Sequence, residues 1–300
     1  MNRPFRFGVT VSNAPSRSAW ITTARRIEQL GYSSMLMPDR PSLGGLAPLT
    51  ALAVAAEATS LLRVGSYVFC NDYRHPVILA REAATLDLLS EGRFELGLGA
   101  GVSPTEFQQM GIPFASGGTR IGHLEETIQL MKQLFTEETV NFSGKYYTIT
   151  GMRGYPRPVQ KPYMPILVAG TGERILKLAA REANIIAIGS RMFAQRIGTT
   201  QATDAADATL EQKIAWIKEA AGNRFADLEL CQTIFDKEIS DSDTPISQAG
   251  GPPILKRPLT IEQAVEELLE QRERYGFSYL QVHQGQMENF APVVARLAGK

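Results

Sequence analysis

Short runs of β-forming apolar residues alternate along the whole chain with longer stretches whose apolar residues recur every three to four positions. The short runs predict strands over residues 5–11, 33–37, 63–69, 93–98, 166–169, 185–188, 228–234 and 277–282. After the first comes a helix with Trp20, Ala24, Ile27 and Leu30 on one face, stopping at Gly31. Further helices are expected over 48–59, from Pro76 (a favoured first-turn residue), and over 119–136 with Leu124, Ile128, Met131 and Phe135 in one stripe. The last four are expected over 173–183, 207–221, 261–275 and 287–298. Strict alternation with short connections means a parallel sheet, and eight repeats in about 250 core residues match a closed (β/α)₈ TIM barrel. The pattern alone leaves an open doubly wound sheet as the alternative. Residues 140–165, a hairpin followed by a Pro-rich stretch, and residues 240–258, rich in Ser, Asp, Gly and Pro, exceed ordinary connections. They read as insertions after the fourth and seventh strands of a single domain spanning 1–300.

Composition narrows the classes. The 31 Lys and Arg balance the 31 Asp and Glu, so there is no electrostatic footprint for nucleic acid or an anionic membrane. Two cysteines, Cys70 and Cys231, give neither a disulfide framework nor a Cys-rich zinc site, and fit a reducing compartment. The first eight residues lack the apolar run of a signal peptide, and the longest uncharged stretch, 41–56, is broken by Gly44, Gly45 and Pro48. A soluble, cytoplasmic protein with neither a nucleic-acid nor a membrane partner is expected.

A barrel's chemistry sits at the C-terminal ends of its strands. That rule selects Asp39 and Arg40; Ser66, Tyr67 and Val68, with Cys70, Asn71 and Asp72 beyond; Gly99, Ala100, Gly101 and Val102; Gly170, Thr171 and Gly172; and His283. Gly170-Thr171-Gly172 opens a helix and exposes backbone N–H groups suited to a phosphate, with Arg174 and Lys177 nearby. A tight βα turn needing glycine accounts for it equally well. There is no phosphate-binding G-x-x-x-x-G-K-[ST], and Val102 stands where a dinucleotide fingerprint starting at Gly97 needs its third glycine. Asp39, once buried, needs hydrogen bonds or a paired charge, and Arg40 is adjacent; a turn cap is the plainer reading. His75 reads as structural, His123 as exposed or capping, and His283 as the histidine at a strand's catalytic end. No Ser-His-Asp arrangement or metal-ligand cluster is apparent, so no metal is expected. From the residues alone the reading stops at a barrel with an anion-binding corner.

Four segments carry a resemblance: 30–39 (LGYSSMLMPD), 74–80 (RHPVILA), 84–101 with its Leu-Asp-x-x-Ser-x-Gly-Arg block, and 120–134; 156–162 and 165–172 extend it. Over roughly residues 4–235 the chain resembles the bacterial luciferase-like superfamily of flavin- and deazaflavin-dependent oxidoreductases, and is most similar to the coenzyme F420-dependent branch. The resemblance implies a barrel with the cofactor ring over its mouth and a non-prolyl cis peptide at Tyr67–Val68, just after Ser66. It also implies a cofactor phosphate at Ala169 to Gly172, and ring-edge hydrogen bonds from the backbone around Asp39 and from Gly99 to Val102. Asp39, Arg40, Tyr67 and His283 are then the catalytic candidates. Arg40 stands where many members carry histidine, and Val102 where the F420-dependent sugar-phosphate dehydrogenases carry glutamate; Glu106 matches only a second acidic position, read as capping. Alcohol oxidation needs a base within reach. Reduction of an activated C=C, C=N or C=O is therefore the expected direction, with the proton from an Arg40-held water, Tyr67 or His283. Arg40 is alternatively a grip on a substrate carboxylate or carbonyl oxygen. The competing readings are an FMN-dependent two-component monooxygenase and a catalytically silent flavin-binding barrel. The expected partners are a small-molecule substrate, a cofactor-reducing enzyme and, by resemblance, a second copy in a homodimer.

Overall fold

The computed structural model describes residues 3–189, 208–234 and 259–300. The second expected insertion, 240–258, lies outside them. In chain order the elements are β1 (Arg6–Thr10), α1 (Arg17–Gln29), β2 (Ser34–Met37), α2 (Pro48–Glu57), β3 (Arg63–Ser66), β4 (Phe69–Cys70), α3 (Pro76–Leu89) and β5 (Phe94–Gly99). There follow α4 (Pro104–Gln109), α5 (Gly117–Thr136), β6 (Val140–Ser143), β7 (Thr148–Met152), β8 (Ile166–Gly170), α6 (Glu173–Glu182) and β9 (Ile185–Ile188). The last five are α7 (Leu210–Ala221), β10 (Glu229–Thr233), α8 (Ile261–Tyr275), β11 (Phe277–His283) and α9 (Met287–Leu297).

The parallel sheet runs β3-β2-β1-β11-β10-β9-β8-β5, and pairing of β3 with β5 closes it into an eight-stranded barrel, with β4 continuing β3 after a break. The open-sheet alternative is thereby excluded. Strand alternation sorts the side chains into two cores. Outward residues such as Phe7, Val9, Met35, Val64, Leu96, Val168 and Val282 pack under the helices, where Trp20, Ala24 and Ile27 of α1 form the buried stripe that the spacing predicts. Inward residues Leu36, Leu167, Ile185, Ala187, Cys231 and Tyr279 fill the barrel beneath Tyr67, Val68 and Ala169.

An ionic layer closes the N-terminal end. Glu95, 2% exposed, accepts from Arg6 Nη1 at 2.5 Å, Arg63 Nε at 2.6 Å and Tyr279 Oη at 3.1 Å. Arg6 also forks onto Glu229, and its guanidinium lies 3.4 Å over the Tyr279 ring. Burial alone would push the Glu95 carboxyl up; the attraction of Arg6 and Arg63 outweighs it and holds the group below its usual range.

Between β3 and β4 the Tyr67–Val68 peptide is cis, at the expected position. The neighbouring strand accommodates the break through glycine: a Cβ on Gly97 would lie 2.0 Å from the Ser66 carbonyl oxygen, and one on Gly99 2.7 Å from Val68 Cγ2. Ser66 Oγ donates to the Gly97 carbonyl at 2.8 Å and accepts its N–H at 2.9 Å, replacing the ladder bonds that the break removes.

The block at residues 86–93 works as a return from helix to strand. Glu91 and Gly92 both have positive φ, 54° and 80°, which turns the chain, and Arg93 then bonds the Leu62 and Ala56 carbonyls, both at 2.8 Å. Asp87 reaches sideways to hold the Val159 and Gln160 N–H groups at 2.7 and 3.1 Å, fixing the Pro-rich segment. The expected hairpin is β6–β7, antiparallel, and its turn is gathered by Glu126 of α5, which accepts from the backbone of Lys145, Tyr146 and Tyr147.

Candidate functional site

The C-terminal mouth of the barrel carries charge after β2, β4 and β5. Asp39, 4% exposed, accepts from Arg74 Nη1 at 2.5 Å and Nη2 at 3.1 Å, and from the Cys70 N–H at 3.2 Å. The aspartate therefore finds the charged partner its burial requires, but that partner is Arg74, not the adjacent Arg40. Arg40 instead donates Nε to Glu106 Oε2 at 2.7 Å, and Ser42 Oγ donates to Oε1 at 2.6 Å. The capping role belongs to Ser103, which accepts the Glu106 N–H; the Glu106 carboxylate, in a residue 2% exposed, holds Arg40. Sequence reasoning missed Arg74 and the Arg40–Glu106 pair. The Arg74-His75-Pro76 tripeptide ahead of α3 was the available signal for the first, since a loop cation at the mouth needs a counter-charge.

Cys70 packs behind this cluster. A Cβ on Gly101, whose φ is 77°, would lie 2.9 Å from Cys70 Sγ, so only glycine lets the strand-end loop close over the thiol. Burial pushes that thiol up to about 12. His123 is not exposed: it is half-buried, with Nδ1 3.1 Å from Asp72 Oδ1 and its ring edge-on to Tyr146 at 4.4 Å. His75 accepts the Val77 N–H and caps α3, as expected. Arg120 donates Nε to the Ala100 carbonyl at 3.0 Å and also bonds the Ala115 carbonyl, fixing the loop after β5. Val102 at its rim is 42% exposed.

On the floor of the mouth, Tyr67 Oη lies 3.0 Å from Thr233 Oγ1 and 3.8 Å from Cys231 Sγ. Burial, aided by the nearby thiol, holds the phenol well above its usual range, so it stays protonated. His283 ends β11 beside Thr10 of β1, half-buried at the mouth.

At the fourth corner β8 runs through Ala169 into Gly170-Thr171-Gly172 and α6. Ser, Thr or His caps α1, α3, α4, α5, α7 and α8, while α2, α6 and α9 open without a side-chain cap; at α6 the cap position is Gly172, so the first N–H groups of this helix, which follows β8 at the mouth, have no side-chain partner. Gly118 lacks the Cβ that would lie 2.7 Å from Arg174 Nη1, so this guanidinium lies against the first turn of α5. An uncapped helix start with a cation beside it fits the phosphate of a flavin or deazaflavin tail. Among the described residues no group of three or more His, Cys, Asp or Glu is placed to hold a metal, and no helix is long and apolar enough to cross a membrane.

An F420-dependent glucose-6-phosphate dehydrogenase of Amycolatopsis mediterranei (strain U-32) is 33% identical over 165 residues, covering 53% of this chain and 49% of the relative. The chain thus matches about half the length of such curated relatives. Among solved structures, the coenzyme F420-dependent tetrahydromethanopterin reductase of Methanopyrus kandleri superposes with a TM-score of 0.78 at 16% identity, covering 98% of this chain and 99% of the other. A riboflavin lyase with modified FMN and riboflavin reaches 0.78 at 15% identity, covering 99% and 93%. At such identities these two likenesses are of fold. Residues 2–229 match the family described as luciferase-like monooxygenase, and the chain belongs to that family.

Proposed function

We propose that the chain is an F420-dependent oxidoreductase that moves a hydride between the deazaflavin and a small organic substrate, in the direction of substrate reduction. The observation that carries the cofactor assignment is the uncapped α6 start at Gly170–Gly172, set at the barrel mouth with Arg174 beside it. When bound, the deazaflavin supplies the hydride. Gly170, Thr171 and Gly172 offer backbone donors to its phosphate. Tyr67 and Val68 would hold the ring, together with the loop from Gly99 to Val102 that Arg120 fixes.

The state of the carboxylates supports that direction. Among the described residues at the mouth, Asp39 is held by Arg74, Glu106 by Arg40 and Ser42, and Asp72 lies against His123. None is left to take a proton from an alcohol. The Tyr67 phenol, held protonated, is instead placed to give one, and His283 stands beside Thr10 at the same mouth. With Nε bound to Glu106, Arg40 keeps its Nη groups for a substrate carboxylate or carbonyl oxygen. Asp39 orders Arg74 and the β4 backbone, and acts on the site through them.

An FMN-dependent, two-component monooxygenase is the second reading, favoured by the family's own description. Parallel fluorescence titrations with oxidised F420 and FMN test the choice. Micromolar F420 binding with weak FMN binding, followed by F420H₂ oxidation on a panel of ketones, imines and enones, supports the first. Tight FMN binding alone, with oxygen uptake, supports the second. Binding of either with no turnover leaves a silent flavin-binding barrel. Binding of neither removes the phosphate role from the glycine turn. A homodimer, and an enzyme that recharges the cofactor, complete the proposal; sedimentation velocity tests the dimer.

A further inference from the structure

The arc of the barrel formed by β10, β11 and β1 differs from the charged side. Its inward residues near the mouth are Thr233, Gln281, His283 and Thr10, and none is a carboxylate, lysine or arginine. Gln281 is 0% exposed, and among the described residues neither its amide nitrogen nor its amide oxygen has a hydrogen-bond partner. Thr10 Oγ1 is likewise buried and has no partner among the described residues. Gln281 lies one inward position above Tyr279, whose phenol is tied to Ser34 and Glu95, and one below His283. Its register partner is Gly8, where a Cβ would lie 2.5 Å from Gln281 Oε1 and 2.3 Å from Ser34 Oγ. Glycine there makes room for the carboxamide to lie across β1, above the ionic layer and beneath the mouth.

Burying a carboxamide with both ends unpaired is costly, and such groups occur where something else completes their bonding. We infer that Gln281 and Thr10 form the polar end of the substrate site, taking the oxygen of an uncharged carbonyl–alcohol pair. This rests on the hydride-transfer reading above. A carboxamide serves both members of such a pair without changing charge. Nε2–H donates to a carbonyl oxygen, while either Oε1 or Thr10 Oγ1 accepts the single proton of an alcohol hydroxyl. In reduction, the carbonyl carbon gains the hydride from the reduced cofactor, which is oxidised. The C=O π pair takes a proton drawn from solvent water and relayed by the Tyr67–Thr233 hydroxyl pair, which ends unchanged, leaving C–OH. Arg40, on the charged side, is left for a second polar group of the substrate.

The test compares the parent with Gln281→Leu, which keeps the volume and removes both bonding ends, and with Thr10→Val. Binding of cyclohexanol and cyclohexanone is followed by saturation-transfer NMR, with and without oxidised F420, alongside F420 titration, thermal unfolding and ketone-dependent F420H₂ oxidation. The expected result is at least tenfold weaker binding and higher KM for both ligands in Gln281→Leu, a smaller loss for the alcohol in Thr10→Val, and F420 affinity within twofold of the parent. Unchanged ligand binding in Gln281→Leu with a raised melting temperature overturns the inference, because the amide then carries only a burial cost or an enclosed water. Absence of cyclohexanol and cyclohexanone binding in the parent overturns it as well. A parent that binds these ligands but not F420 refutes the cofactor reading instead, and the parent–variant difference in ligand binding still decides the role of Gln281.

Discussion

Gly97 has its backbone N–H and carbonyl both taken by one hydroxyl, that of Ser66, where β3 breaks off. Ser66→Ala leaves both groups buried without partners, and the expected cost is roughly 1–3 kcal/mol in urea unfolding. Gly97→Ala is expected to cost at least as much, since its new methyl meets the Ser66 carbonyl and backbone must move. Both cysteines are buried thiols held in their neutral form, Cys70 with its value pushed up to about 12. A disulfide reagent at pH 8 is expected to label neither in the native protein and both in denaturant; fast labelling of the native chain would contradict that burial. At this scale the sequence made Asp39's need for a partner visible, though not the partner. Arg74 comes from the loop after β4, and the adjacent Arg40 turns to Glu106 after β5. Loops distant along the chain become neighbours only once the barrel closes, so side-chain pairing at its mouth is set by geometry that spacing does not encode.

Elements were far more legible. All eight barrel strands stand where the short apolar runs predict them, and α1, α2, α3, α5, α6, α7, α8 and α9 agree with the periodic stretches to within about three residues. The reason is local: the barrel asks of each strand only an outward apolar face, and of each helix one stripe. What escaped was α4, six residues whose one buried apolar side chain, Phe107, leaves no periodicity to read. The split of the third strand into β3 and β4 also escaped the apolar pattern, and only the family resemblance placed it. Helix starts respond to side-chain caps: α7 and α8 each open with a capping box, Thr209 with Gln212 and Thr260 with Gln263. Thr209→Ala and Thr260→Ala are each expected to lower stability by about 1 kcal/mol in denaturant titrations. The two losses should add, since each cap acts within its own helix.

For the whole molecule, the ionic layer and the mouth divide the labour between stability and chemistry. Glu95 has its folded carboxyl held below the ordinary range by Arg6 and Arg63 against the effect of burial. Its stabilising contribution is therefore fully present above the unfolded carboxyl value, about 4.3, and is lost as pH falls through the lower folded value. Urea midpoints measured from pH 7 down to pH 3 should fall steeply at the acid end in the parent and less so in Glu95→Gln. At pH 7 that variant should be weaker by roughly 3–5 kcal/mol, because two guanidinium groups lose their buried counter-charge. A shallower acid slope without the loss at pH 7 would place the control elsewhere. The same layer has a kinetic consequence. With Arg6, Arg63, Glu95 and Glu229 tied across the lower end, the ionic layer stands between Gln281 and that end, and the mouth is the expected route for solvent. The side-chain amide protons of Gln281 should then exchange with deuterium at a rate set by traffic through the mouth, so that their NMR signals become a clock for how long any occupant stays there.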